Sequence, residues 1–121
     1  MSKSILVVED QEDNRQIIRD MLTFTDYEIT EAESGEQALE AIAKQRPDLI
    51  LMDIQLPIMD GYTATSRIKA DPALRSIPII AVTSYALNGE ERIARAAGCD
   101  EYVPKPYSPR QLLAKIRQYL P

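Results

Sequence analysis

The sequence contains no histidine, and only one of its 121 residues is a cysteine. Without histidine, the chain has no imidazole to act as a general base, a metal ligand, a near-neutral pH switch or a phosphohistidine. Any phosphoryl group that arrives by way of histidine must therefore come from another molecule. The single cysteine, Cys99, excludes an internal disulfide and fits a reducing compartment. Because the usual zinc sites need Cys and His, a metal here would be held by oxygens, which favours Mg²⁺, Mn²⁺ or Ca²⁺.

Long apolar runs and an excess of basic charge are also missing. No stretch approaches the roughly 20 apolar residues of a membrane span. The first ten residues, MSKSILVVED, contain one lysine and a four-residue apolar run, which is not the pattern of a signal peptide. The formal net charge of −5 argues against nucleic acid as a partner. We expect a cytoplasmic protein, not bound to membranes, that forms one domain over residues 1–121.

Short apolar runs alternate with amphipathic stretches along the chain. The runs are continuous, as is typical of parallel strands that are buried on both faces. They are Ile5–Val8, Leu49–Met52 and Ile79–Val82, with weaker strand candidates at Tyr27–Ala32 and Glu101–Val103. Helical spacing between them predicts three shared apolar faces. These are Ile17, Ile18, Met21 and Leu22; Ala38, Leu39, Ile42 and Ala43; and Leu112, Leu113, Ile116 and Leu120.

Capping signals support the predicted helices. They are two S-x-x-Q capping boxes (Ser34 with Gln37, Ser108 with Gln111), the Asp71-Pro72 stop after the third helix, and Gly98 at the end of the fourth, which lies somewhere within Leu87–Ala97. The order is strand then helix, five times over. Such alternation predicts an α/β fold with a five-stranded parallel, doubly wound (flavodoxin-like) sheet in the order 2-1-3-4-5, with five helices on its two faces.

Polar residues directly follow four of the predicted strands. In open α/β sheets, ligands bind beyond the carboxyl ends of the strands, where the strand order reverses. The first and third strands would be neighbours at this point. The residues that follow the strands are Glu9 and Asp10, then Asp53, then Thr83 and Ser84, then Lys105 and Pro106. We therefore expect the three acids to share one crevice, with Thr83 and Lys105 on its other side.

Three carboxylates in one crevice repel one another. At ~5 Å and an effective dielectric constant of ~20, each like-charge pair costs ~3 kcal/mol. A hard divalent cation such as Mg²⁺ relieves that repulsion, and it commonly binds carboxylates together with a phosphate. Asp53 is then the candidate nucleophile for an acyl phosphate, with Lys105 and the Thr83 hydroxyl facing the phosphoryl oxygens. The backbone carbonyl of Gln55 is a further candidate metal ligand.

Each of these residues also has a plain structural interpretation. Glu9 and Asp10 could be a solvated strand end, Asp53 a turn cap, Thr83 part of a turn, and Lys105 surface charge. The functional interpretation rests on their falling at the same end of one sheet. The nearby acids Glu12 and Asp13 are expected to serve the N-terminus of the first helix instead.

Four motifs contain these residues: VVED at 7–10, LMDIQLPIMDG at 51–61, VTS at 82–84 and KP at 105–106. With them, the chain resembles the receiver domain of two-component response regulators over its whole length, and it is most similar to the single-domain (DivK-like) kind. The 30-residue step from Asp53 to Thr83 and the 22-residue step from Thr83 to Lys105 also match that family.

The resemblance implies a role for each matching position. Asp53 would accept a phosphoryl group from the phosphohistidine of a histidine kinase or a phosphotransfer protein. Asp10 would bind Mg²⁺ directly and Glu9 largely through water, although Glu9 stands where the family more often has Asp. Gln55 would contribute its carbonyl to the metal, and Lys105 would contact the phosphoryl group.

The resemblance also implies a switch. Thr83 and Tyr102 would respond to phosphorylation and reshape the face of the fourth helix, fifth strand and fifth helix, which includes Tyr107 and Arg110. That face would bind a downstream protein effector, with no attached output domain. The family further implies a cis bond before Pro106, and an influence of Gln55 and Tyr85 on the lifetime of the phosphorylated form.

Two other functions compete with the signalling switch. One is a Mg²⁺-dependent phosphatase with an aspartyl nucleophile, but such enzymes carry an acid two residues after the nucleophile, where this chain has Gln55. The other is a binding module that works without phosphorylation. That module is disfavoured because it would not require the whole set of Glu9, Asp10, Asp53, Thr83 and Lys105. We therefore do not expect an enzyme.

Overall fold

Five strands alternate with five helices in the computed structural model, which describes residues 3–83, 89–105 and 107–121. The strands are β1 (Ser4–Val8), β2 (Glu28–Ala32), β3 (Leu49–Asp53), β4 (Ile79–Thr83) and β5 (Glu101–Pro104). The helices are α1 (Glu12–Leu22), α2 (Gly35–Lys44), α3 (Gly61–Ala70), α4 (Glu90–Ala97) and α5 (Pro109–Tyr119). None of the helices in these ranges is long and apolar enough to cross a membrane.

The strands form one parallel sheet in the order β2-β1-β3-β4-β5, which confirms the predicted topology. In the register, Val8 of β1 lies beside Met52 of β3, and Asp53 lies beside Val82 of β4. The order reverses between β1 and β3. The carboxyl ends of these two neighbouring strands therefore open the crevice in which a ligand is expected.

The central strands are buried on both faces because helices cover the sheet on both sides. One core cluster joins the sheet to α2, α3 and α4, and the other joins it to α1 and α5. Every residue of the predicted apolar runs in β1, β3 and β4 is buried, as expected, and so are the polar residues at the ends of these strands, Ser4, Asp53 and Thr83. Cys99 is buried in the first cluster, so its thiol packs as part of the apolar core.

Two details of the predicted apolar helix faces are wrong. Ile17 is 50% exposed on α1, and Ala43 is exposed on α2. In α1, Ile18 and Leu22 face the sheet while the neighbouring Ile17 is turned outward, because adjacent helical residues are about 100° apart. Spacing alone does not show whether an apolar residue at the edge of the helix face is buried or exposed.

The capping signals are largely confirmed. Ser108 and Gln111 make both bonds of a capping box at α5, and Gly98 closes α4 in the left-handed conformation, at a φ of 112°. Asp71 ends α3 as predicted. The box at α2 differs, because the Gln37 side chain accepts from the N–H of Glu33 instead of Ser34. Leu87 and Asn88, part of the range predicted for the fourth helix, lie outside the described residues.

Candidate functional site

Three carboxylates meet at the switch point of the sheet. Glu9 and Asp10 follow β1, and Asp53 is the last residue of β3. One carboxylate oxygen from each lies within 4.8 Å of the other two. Glu9 is only 3% exposed and Asp53 only 5%, whereas Asp10 is half-buried. The predicted acidic crevice is therefore present in the fold, and two of its three acids are held out of water.

Burial extends one residue beyond the predicted apolar runs of β3 and β4. Both Asp53 and Thr83 are the final residues of their strands, and both are buried. Gly61 of α3 explains part of the burial of Asp53. A Cβ atom on Gly61 would lie 2.4 Å from the Asp53 carbonyl oxygen, so only glycine lets α3 begin this close to the strand end.

Lys105 brings a positive charge into the acidic crevice. Its Nζ donates to Glu9 Oε1 at 3.1 Å and lies 3.8 Å from Asp53 Oδ1. The backbone N–H of Lys105 also donates to the Thr83 carbonyl at 2.6 Å. This bond ties the segment after β5 to the end of β4. The structure thereby brings Lys105 and the last residue of β4 to the same edge of the sheet as the acids.

Amide groups hold the carboxylates in place. The backbone N–H of Gln11 donates to Glu9 Oε2 at 3.0 Å, and the Gln11 side-chain amide donates to Asp10 Oδ2 at 3.3 Å. The backbone N–H of Gln55 donates to Asp53 Oδ1 at 3.1 Å. These donors orient each carboxylate without neutralising it. Gln11 was missed by the sequence reasoning, since a glutamine after two acids has no distinctive pattern.

The electrostatics of the crevice act mainly on Glu9. Burial, together with the neighbouring charge of Asp53, raises the pKa of Glu9 to about 7, although the Gln11 N–H and Lys105 act in the opposite direction. The raised pKa therefore reflects mainly a carboxyl removed from water, with a second carboxylate nearby. Three hard oxygen donors in this setting fit a divalent cation such as Mg²⁺.

The remaining predicted residues lie around this crevice. Thr83 is fully buried at the end of β4, and Tyr102 is half-buried on β5 against the core cluster shared with α3 and α4. Tyr107 is half-buried, and burial with the nearby charges of Glu9 and Asp53 raises its pKa. Arg110 is exposed at the start of α5. Ser84, Tyr85 and Pro106, and with them the predicted cis bond, lie outside the described residues.

The charged residues of α1 make contacts that the sequence did not predict. Glu12 and Asp13 lie in the first turn of α1, as predicted, but the Glu12 carboxylate also pairs with Arg15 and Arg19. Arg15 is buried and bonds to the backbone of Glu9. Sequence reasoning missed it because an arginine on an amphipathic helix normally indicates a solvated face.

Comparison with known proteins points in one direction. Residues 5–117 match the response regulator receiver domain family. The chain is 43% identical to the polar-differentiation response regulator DivK of Brucella ovis over 120 residues, covering 99% of this chain and 98% of that protein. The homologous protein of Brucella abortus has the same identity and coverage.

Solved structures give the same result. The receiver domain of a sensor histidine kinase from Pseudomonas aeruginosa, with a magnesium ion coordinated in its active-site cleft, superposes with a TM-score of 0.90 at 38% identity, over 99% of this chain and 98% of that one. A CheY-like response regulator receiver domain protein from Methanospirillum hungatei superposes with a TM-score of 0.90 at 32% identity, over 99% and 94% of the two chains.

Proposed function

The chain belongs to the response regulator receiver domain family of two-component signalling, and on this premise we propose that Asp53 is its phosphoacceptor. Receiver domains bind Mg²⁺ at an acidic pocket and interact with histidine kinases and phosphotransfer proteins. The observation that carries the proposal is the convergence of Glu9, Asp10 and Asp53 within 4.8 Å, with Lys105 3.8 Å from Asp53. Glu9 is also buried and bonds to the same lysine. Asp53 is chosen over Glu9 because it lies in the segment LMDIQLPIMDG, which matches the family motif.

The metal site is assigned to the same acids. Asp10 and Asp53 would supply carboxylate oxygens directly and Glu9 largely through water. The Gln55 backbone carbonyl would supply a further oxygen. Mg²⁺ bound there would offset charge on the phosphoryl oxygens during transfer. Mn²⁺, which prefers the same oxygen ligands, is expected to substitute for it. The convergence of the three carboxylates supports this assignment, because a cation would stabilise their charged forms in a site where burial raises the pKa of Glu9.

The transfer step follows from the position of Asp53. Its carboxylate oxygen attacks phosphorus of a phosphohistidine on the partner protein, the P–N bond breaks, and an acyl phosphate forms. The imidazole leaves with the bonding electrons and takes a proton from solvent. In this step Lys105 would pair with a phosphoryl oxygen, and the Thr83 hydroxyl would donate a hydrogen bond to another.

The signalling face is assigned to α4, β5 and α5. Thr83 and Tyr102 form the switch pair that relays phosphorylation of Asp53 to this face. Residues of β5 and α5 line an open groove there: Tyr102, Val103, Pro104, Gln111, Ala114 and Lys115. A groove with an aromatic and an aliphatic lining supports binding of a downstream protein effector. Phosphorylation of Asp53 would then change the affinity of the face for that effector.

The chain acts as a substrate and a switch in this proposal, not as an enzyme on other molecules. Residues 1–121 would form a receiver domain that takes phosphate from a histidine kinase or a phosphotransfer protein. Gln55 supports this choice over a phosphatase, because its amide cannot donate a proton as a carboxylic acid does at that position.

Intact-mass spectrometry tests the assignment directly. The protein is incubated with acetyl phosphate in the presence of Mg²⁺, and separately with EDTA. We expect a Mg²⁺-dependent gain of one phosphoryl group that is absent from Asp53→Asn. Asp20→Asn, a matched change at an exposed aspartate of α1, is expected to retain the gain.

Each alternative result has a distinct meaning. A gain that persists in Asp53→Asn would show that another residue is the acceptor. No gain in the wild-type protein would favour a binding module that does not depend on phosphorylation. Continuous release of inorganic phosphate in large molar excess over the protein would instead support the phosphatase.

A further inference from the structure

Arg15 of α1 is a buried arginine beside the acidic crevice. It is 7% exposed, and its guanidinium is shared among several acceptors. Nε lies 3.0 Å from Glu31, and Nη2 lies 2.5 Å from Glu12 and 3.3 Å from Glu33. The remaining nitrogen, Nη1, donates to the backbone carbonyl of Glu9 at 2.8 Å, in the interior of the protein. The planar fork of arginine is thus oriented by three acids so that one arm reaches the turn between β1 and α1.

The backbone of Glu9 is held from both sides. Its N–H donates to the Ala32 carbonyl at the end of β2, at 3.0 Å, and its carbonyl accepts from Arg15. Its side chain is held in turn by Gln11 and Lys105. The peptide group whose oxygen Arg15 binds is the one that joins Glu9 to Asp10. Any movement of that peptide group would therefore shift both acids relative to Asp53.

We propose that Arg15 is a positioning residue for the metal site, which fixes the Glu9–Asp10 peptide group so that both carboxylates stay directed at Asp53. The inference rests on the proposed Mg²⁺ site, and it adds a residue to that site which touches neither metal nor phosphate. Outer contacts of this kind commonly change metal affinity by tenfold or more. A guanidinium is suited to the task because it keeps its charge at all accessible pH values.

Arg19 offers a matched control, one helical turn further along α1. It pairs with two of the same acids, Glu12 and Glu31, and it also carries one positive charge. Within the described residues, the guanidinium of Arg19 bonds to Glu12, Gln16 and Glu31. Only Arg15 of the two reaches the Glu9 carbonyl. Removing Arg19 therefore perturbs the same ion-pair cluster and the same net charge without removing the bond to the metal-site turn.

The sign of the effect separates positioning from simple electrostatics. If Arg15 acted only through its positive charge, its removal would make the crevice more negative and would strengthen binding of Mg²⁺. If Arg15 positions the turn, its removal weakens binding of Mg²⁺ despite the more favourable charge. The two accounts thus predict opposite changes in the dissociation constant.

The experiment is a titration of the folded protein with Mg²⁺, followed by the amide chemical shifts of Asp10 and Gln11. For Arg15→Gln we expect a dissociation constant higher by on the order of tenfold. Arg15→Lys keeps the charge but has one nitrogen for four acceptors, and it is also expected to bind more weakly than the wild type. Arg19→Gln is expected to bind like the wild type. If Arg15→Gln does not fold, Arg15→Lys is used to test the inference.

A second readout needs no metal. Amide hydrogen exchange at Gln11 in the metal-free protein should be faster in Arg15→Gln than in Arg19→Gln, because the turn that presents this N–H to Glu9 is released. Unchanged or tighter Mg²⁺ binding in Arg15→Gln, with unchanged exchange, would overturn the inference and leave the proposed function intact. Failure of the wild-type protein to bind Mg²⁺ would instead contradict the metal site itself, and with it the role of Arg15.

Discussion

Ile58 is the one residue other than glycine, among residues 3–83, 89–105 and 107–121, whose φ angle is positive. Its φ is 67° and its side chain is 98% exposed, five residues after Asp53. A β-branched side chain in the left-handed region clashes with its own backbone, at a cost of roughly 1–2 kcal/mol. Since the exposed side chain gains little from packing, this strain is uncompensated within the described contacts.

Replacing Ile58 by asparagine is therefore expected to stabilise the protein. Asparagine tolerates the left-handed conformation, so Ile58→Asn should raise the free energy of unfolding by about 1 kcal/mol in urea titrations. Ile17→Asn is the control, because Ile17 is half exposed in the regular helix α1. There the same change should lower stability, since asparagine is the poorer helix former. A loss of stability in both variants would contradict the role of strain at Ile58.

At the scale of elements, Lys69 links α3 by hydrogen bonds to the segments that directly precede β4 and β5. Its Nζ donates to the carbonyls of Arg75 and Ile77 and to Asp100 Oδ2, at 2.9, 2.8 and 2.8 Å. The same Asp100 oxygen accepts from the N–H of Ile79, the first residue of β4. One ammonium group therefore supplies hydrogen-bond donors to two main-chain carbonyls of the connection between α3 and β4.

Removing this ammonium group should destabilise the fold. Lys69→Met keeps the apolar stem but removes the ammonium donor from two carbonyls and from Asp100, which keeps the N–H of Ile79, at an expected cost of about 2 kcal/mol. Lys44→Met, at the exposed end of α2, should change the free energy of unfolding by less than about 0.5 kcal/mol. Equal unfolding midpoints for the two variants in urea would show that the three bonds contribute no net stability.

The element scale is also where prediction from sequence succeeded best. Continuous apolar runs predicted β1, β3 and β4, because strands buried on both faces need an apolar residue at every position. The polar residue that ends each run then predicted the acidic crevice. Contacts between distant segments were beyond the same reasoning. The bond from Arg15 to the Glu9 carbonyl, and the left-handed Ile58, depend on how α1 and the loop after β3 pack, which no local pattern encodes.

At the scale of the whole molecule, the acidic crevice should make stability depend on pH. Burial and the charge of Asp53 raise the pKa of Glu9 from 4.5 to about 7 in the metal-free protein. The folded state therefore binds this proton more tightly than the unfolded state does. The contribution of Glu9 to stability is fully present below pH 4.5 and is lost as the pH rises through about 7. The loss is on the order of 3 kcal/mol.

Glu9→Gln isolates this contribution, because the amide does not titrate. Its stability relative to the wild type should rise between pH 5 and pH 7.5, measured by urea unfolding in EDTA, whereas Glu40→Gln on the exposed side of α2 should show no such trend. In the wild-type protein, Mg²⁺ should reverse the loss of stability with rising pH. It binds the deprotonated carboxylates and so stabilises the fold more at pH 7.5 than at pH 5. Parallel pH profiles for the wild type and Glu9→Gln would show that Glu9 titrates as it does in the unfolded chain, and that burial in the crevice does not raise its pKa.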